Sequence, residues 1–187
     1  MNRKVLIGVI ATGVVLFLGA YFVSPVLAAR GLVSAAKAGD EAKLERLVDF
    51  PAFRESLKDE LNARLRAEMR ADLRAQDSAL AGLGMLLAPS LIGGAVDALV
   101  TPSAVASMVR TAEAPDPTDR AAADRPRGEG GEGGDLRQSY GYRGLNVFAM
   151  TLSDPESPDQ RLVLLMERHN LFAWRLAGVD LTESDAP

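Results

Sequence analysis

Cysteine is absent from this chain of 187 residues, and histidine and tryptophan occur once each. Without cysteine there is no disulfide framework, no thiolate metal site, no thiol nucleophile and no cysteine to carry a lipid. A single histidine, His169, excludes a multi-histidine metal centre. As a nucleophile's base it would need a serine and an orienting carboxylate brought from elsewhere, and no Gly-x-Ser-x-Gly elbow or paired-carboxylate motif appears. Phe, Tyr and Trp make up 5% of the residues, so leucine, valine, alanine and methionine must build the core. A large surplus of one charge is also missing. Setting Arg3 and Lys4 aside, 19 basic residues face 25 acidic ones. Such a mixed, slightly acidic surface argues against nucleic acid or anionic lipid as the main partner.

What is present is a long apolar run. Val5 to Val23 holds nineteen uncharged, mostly apolar residues directly after Arg3-Lys4. As a helix rising about 1.5 Å per residue it would span a bilayer's hydrocarbon core, about 30 Å thick. A cleaved signal peptide has a shorter apolar region, although Val26-Leu27-Ala28 would serve as a cleavage site. A soluble core helix would carry a polar face, and this run has none. The length favours an uncleaved signal anchor over residues 1–23. Arg3 and Lys4 would hold its start in the cytoplasm and place the rest outside.

Beyond the run, Ser24-Pro25 has the form of a helix start, serine as N-cap and proline at the first helical position. That helix is expected to reach Ala38. Gly39-Asp40 then stops it and caps a short helix, and Asp49-Phe50-Pro51 repeats the signal for a longer one. In the longer helix Phe53, Leu57, Leu61, Leu65, Met69 and Leu73 recur every four residues. Each step advances about 40° at 3.6 residues per turn, so the stripe winds round the helix and meets different neighbours at its two ends. Ser78–Val96 is a second uncharged stretch, but five glycines and prolines break it. Two short helices, roughly 78–88 and 90–100, are expected in preference to a second span. Thr101-Pro102 starts another. Together residues 24–112 read as the helical part of one exported domain.

Residues 113–138, rich in proline, glycine and acid, read as a disordered insertion that buries too little to offset its chain entropy. Its Gly128-Glu129-Gly130-Gly131-Glu132-Gly133 matches Gly-x-Gly-x-x-Gly in letters only. It follows a proline-rich segment, precedes a strand and sets carboxylates where phosphates would bind. Residues 139–182 turn to β character. Strands at Tyr140–Leu152, Leu162–Glu167 and Leu171–Leu176 would form a three-stranded antiparallel meander, followed by a flexible tail at 183–187. The fold class is therefore α+β, a helical layer on a C-terminal sheet, comparable by analogy with cystatin-like and NTF2-like folds.

Candidate site residues are few. His169 sits at a turn and reads as solvent-exposed. Asp49 and Asp97 lie in apolar surroundings, where a carboxyl can be perturbed, but each has a simpler role as helix cap or polar helix face. No catalytic, metal or cofactor residue is assigned, and the chain is expected not to be an enzyme. Phe53, Leu57, Leu61, Phe172 and Trp174 could line a pocket for an apolar ligand or lipid between helices and sheet, or form core.

Several motifs stand in a telling order: Ser24-Pro25, Ala35 to Asp40 as Ala-x-x-Ala-Gly-Asp, Val48-Asp49-Phe50-Pro51, and Val96 to Pro102 as Val-Asp-Ala-Leu-Val-Thr-Pro. A tyrosine-containing strand and Leu171-Phe172-Ala173-Trp174-Arg175-Leu176 complete the series. In these the chain resembles a bacterial family of membrane-anchored proteins known as a domain of unknown function. The resemblance implies a topology and a location: a single-pass inner-membrane protein with a periplasmic domain. It assigns no active site. An envelope protein is the expected partner, a small apolar ligand the alternative.

Overall fold

The computed structural model describes residues 3–73, 92–112, 136–153, 155 and 161–181, with only the backbone of 68–73. The expected helix at 78–88, most of the insertion at 113–138 and the tail at 183–187 lie outside the described residues.

Helix α1 runs from Arg3 to Ala38 without a break. The expected helix start at Ser24-Pro25 is therefore corrected: Pro25 lies inside α1. Proline lacks the N–H that would bond the carbonyl of Tyr21, four residues back. Ser24 supplies a substitute, its Oγ donating to the Tyr21 carbonyl at 2.9 Å. The apolar run and the first helix of the domain are thus one rod. Its first part is exposed, while Ser24, Pro25, Ala29, Leu32, Val33, Ala35 and Ala36 are buried.

The end of α1 follows its sequence signals. Gly39 takes φ +64°, the left-handed conformation that glycine adopts without a steric cost. Gly39 N–H bonds the Ala36 carbonyl and Asp40 N–H bonds that of Ala35, the pattern of a Schellman motif. Asp40 caps α2 (Glu41–Leu47), its Oδ1 accepting Lys43 N–H at 2.9 Å. Asp49 caps α3 (Phe50–Leu73) by accepting Ala52 N–H at 3.2 Å. Helix α4 (Ile92–Leu99) is followed by α5 (Pro102–Thr111), where Thr101 is the N-cap and Pro102 starts the helix.

The sheet has four strands, not the expected three: β1 (Arg137–Tyr142), β2 (Val147–Ser153), β3 (Arg161–Arg168) and β4 (Trp174–Asp180). They pair antiparallel in chain order. The single strand expected at Tyr140–Leu152 is split by a turn at Arg143-Gly144-Leu145-Asn146, where glycine and asparagine suit the bend. β1 also takes Arg137 and Gln138 from the expected insertion. The last strand begins at Trp174, because residues 169–172 form the turn.

Two edges of the sheet are handled differently. Strand β4 would leave its outer backbone groups unpaired, a liability for any edge strand. Asp49 N–H bonds the Leu176 carbonyl at 2.8 Å. Ser56 Oγ accepts Val179 N–H at 3.1 Å and donates to the Val179 carbonyl at 3.3 Å. Gly178 permits this approach, since a Cβ there would lie 2.7 Å from Ser56 Oγ. A bulge between Leu165 and Met166 adjusts the pairing at the same point. β1, by contrast, is a largely exposed edge.

One core joins the layers. It combines Leu32, Leu44, Phe53 and Leu57 from the helices, Val105 and Met108 from α5, and Phe148, Met150, Leu164, Met166 and Leu176 from the sheet. The stripe on α3 fades as its winding requires: Phe53 and Leu57 are buried, Leu61 and Leu65 only partly. Val96, Val100, Val105 and Val109 are buried too, so α4 and α5 belong to this core, although their bent pair (91°) is apolar enough to be compared with a span.

Candidate functional site

A set of specific contacts lies where α1 leaves the domain. Trp174, the first residue of β4, is buried at 3% exposure, and its indole N–H needs a partner. It donates to Ser24 Oγ at 2.9 Å. Since Ser24 in turn donates to Tyr21, a relay runs from Trp174 through Ser24 to the carbonyl that Pro25 leaves unpaired. One serine thereby satisfies two groups and fastens β4 to α1.

Arg168, at the end of β3, makes the second fastening. Its guanidinium carbon lies 3.9 Å from the ring centre of Tyr21 and 4.2 Å from that of Trp174. The cation is held between two π faces. Its nitrogens also donate to the carbonyl of Leu145 at 3.2 and 3.3 Å and to that of Leu171. Both turns, β1–β2 and β3–β4, are thus tied to the same point on α1.

Aromatic rings complete a collar. Tyr142 donates its hydroxyl to the Phe22 carbonyl at 3.0 Å and meets the rings of Phe22, Phe148 and Trp174 edge-on. Desolvation by these neighbours raises the Tyr142 phenol above its ordinary value, against the opposing pull of Arg168. On the other side Phe172 contacts Phe17 at 5.6 Å between centroids. Between α1, α2 and the start of β4 an open groove of about 620 Å³ is lined by Ala20, Val23, Leu27, Leu47, Phe172 and Trp174, with Arg46 and Arg175 also in its wall.

The candidate pocket residues therefore separate. Phe172 and Trp174 line this groove. Phe53 and Leu57 are packed in the core, and Leu61 is partly buried beside it. Phe172 is 45% exposed, because it lies in the turn and not on the inner face of a strand. His169 is exposed as expected, yet its Nε2 lies 3.1 Å from Asp49 Oδ2 and joins the last turn to the cap of α3. Asp97 pairs with Lys58 at 2.7 Å on the surface. Among the described residues no three His, Asp or Glu side chains cluster as a metal site.

Glu60, on α3, carries a perturbed carboxyl. Desolvation raises it above 4.5, Asp180 adds repulsion, and its Oε2 is buried without a hydrogen-bond partner. It lies beside Asp180 and Leu181, at the end of β4 opposite the collar.

Sequence reasoning missed Tyr21, Ser24, Tyr142 and Arg168 as a set. Tyr21-Phe22 at the end of an apolar run carries the one usable signal, aromatic residues at a membrane boundary. The others depend on pairings across more than a hundred residues.

Comparison with known families settles the affiliation. The model of the family described as "Protein of unknown function (DUF2939)" matches residues 14–108, just over half of the chain. The chain belongs to this family. In this DUF2939 protein the matched residues start within the apolar run of α1 and end in α5, so the sheet lies beyond them. No curated protein and no solved structure matches the chain.

Proposed function

We propose that this DUF2939 protein is a single-pass protein of a bacterial inner membrane, with its domain on the periplasmic side. There it works without catalysis, docking an envelope protein close to the bilayer. The observation that carries this reading is the continuity of α1. The only described helix that is by itself long and apolar enough to cross a membrane has no part of its apolar stretch buried, and it enters the core without a joint. A rigid rod of this kind fixes the height and orientation of the domain. Arg3 and Lys4 at its start support a cytoplasmic N-terminus.

Photo-crosslinkers at Arg175 and at Tyr142 in intact cells test this reading. A discrete adduct with one envelope protein is expected. Recovery of monomer and random neighbours alone would defeat it.

A second reading, a carrier of a lipid or other small apolar ligand, is favoured by Phe172 and Trp174 in the groove wall. Native mass spectrometry of the full chain would then show a bound lipid that Ala20→Trp, which obstructs the groove, displaces. Equal lipid occupancy in both proteins would remove this reading.

A further inference from the structure

We infer that the β1–β2 and β3–β4 turns insert into the same leaflet that α1 leaves, so that the domain is seated in the bilayer surface and does not merely hang from its anchor. This rests on the membrane-anchor reading above and adds a second point of attachment.

The depth of the turns follows from α1 itself. Phe172 touches Phe17, and Phe17 lies six residues before Val23, the end of the apolar run. Six residues of helix correspond to about 9 Å. A bilayer that covers the apolar run to Val23 therefore has to cover the level of Phe172 as well. Tyr21, two residues from the same boundary, holds Arg168 against its ring.

The turns have the right composition for that depth. Leu145 is 76% exposed and Leu171 59% exposed, the two highest values for large apolar side chains outside α1 among the described residues. Both carbonyls are bound by Arg168, which keeps the tips together and beside α1. Tyr142 and the buried Trp174 lie just behind them, the residue types found at membrane interfaces. Arg46 and Arg175 in the groove wall suit the phosphate layer next to the apolar boundary. The polar and charged residues of the turns, Arg143, Asn146, His169 and Asn170, fit the same headgroup level. Since leucine and phenylalanine drive the contact, it should persist in phosphatidylcholine, which is zwitterionic and has no net charge.

The absence of cysteine makes the test direct. Ile10→Cys, Leu145→Cys, Leu171→Cys and Asp59→Cys are each introduced into the full chain, labelled with a nitroxide and reconstituted in phosphatidylcholine vesicles. Accessibility to oxygen and to a water-soluble nickel chelate is compared. Asp59 is exposed on α3 near the far end of β4 and serves as the aqueous reference. Labels at 145 and 171 should be at least several-fold more oxygen-weighted than the label at 59. If the label at 10 is embedded but those at 145 and 171 match the label at 59, the seating is wrong and the anchor stands. If the label at 10 is itself nickel-accessible, the anchor reading fails and the seating with it. Dipolar broadening between labels at 171 would assign the tips to a second copy and overturn the proposal.

Discussion

Replacing Ser24 by alanine removes a single hydroxyl and leaves two groups without partners. The Trp174 indole N–H and the Tyr21 carbonyl both depend on Ser24 Oγ, each at 2.9 Å. A buried polar group without a partner costs about 1–3 kcal/mol. The indole is 3% exposed and takes the upper part of that range, whereas the carbonyl is only part-buried within the folded chain and takes the lower. The expected loss is about 2–4 kcal/mol, which corresponds to a fall in Tm of about 5–12 °C for a domain of this size. A second substitution separates the two terms. Pro25→Ala restores an N–H for the Tyr21 carbonyl, so Ser24→Ala should cost about 1 kcal/mol less in that background. Urea unfolding of the full chain in detergent micelles would give these values, with the fluorescence of Trp174, the sole tryptophan, as the local probe. A Ser24→Ala loss below about 0.5 kcal/mol, or an equal loss in both backgrounds, would refute the relay.

Three further substitutions address the rest of the domain. Gly178→Ala drives a methyl to 2.7 Å from Ser56 Oγ and should cost about 1–3 kcal/mol in chemical denaturation; an unchanged midpoint would show that α3 yields freely. Ser56→Ala leaves the β4 edge short of its partner at Val179 and should cost about 1 kcal/mol while leaving the fold intact by circular dichroism. Glu60→Gln should be stabilising at pH 7. The folded carboxyl titrates above its ordinary value, so its penalty is absent at low pH and develops as pH rises from the unfolded value through the folded one. The advantage of glutamine should therefore vanish below about pH 4, and a gain independent of pH would assign the effect to packing.

Local signals carried much of the fold. Gly39, Asp40, Asp49 and Thr101 act as the stops and caps their positions announce, because capping is decided within four residues. The four-residue stripe of α3 is buried where it meets β4 and emerges where its winding carries it away. Ser24-Pro25 misled for a related reason. Serine before proline marks a helix start when nothing else binds the free carbonyl, but here Ser24 bonds Tyr21 and the long helix continues. The fourth strand was hidden because Gly144 and Asn146 interrupt only a few residues of a strand-like sequence.

The collar was the least legible part. Phe172 and Trp174 were visible as apolar candidates, yet they meet Phe17 and Ser24 across some 150 residues. Arg168 gave no sign in the sequence that it would sit between Tyr21 and Trp174. Spacing along a chain says little about partners that the topology alone brings together.

The central claim is that α1 remains whole, joining the membrane to the domain. Removal at Ala28 would take away Tyr21, Phe22, Ser24 and Pro25, and with them the contacts that Trp174, Arg168 and Tyr142 make to α1. The intact mass of the protein isolated from native membranes tests this directly. A mass that includes residues 5–28 is the predicted result, and a mature chain beginning at Ala29 would contradict it.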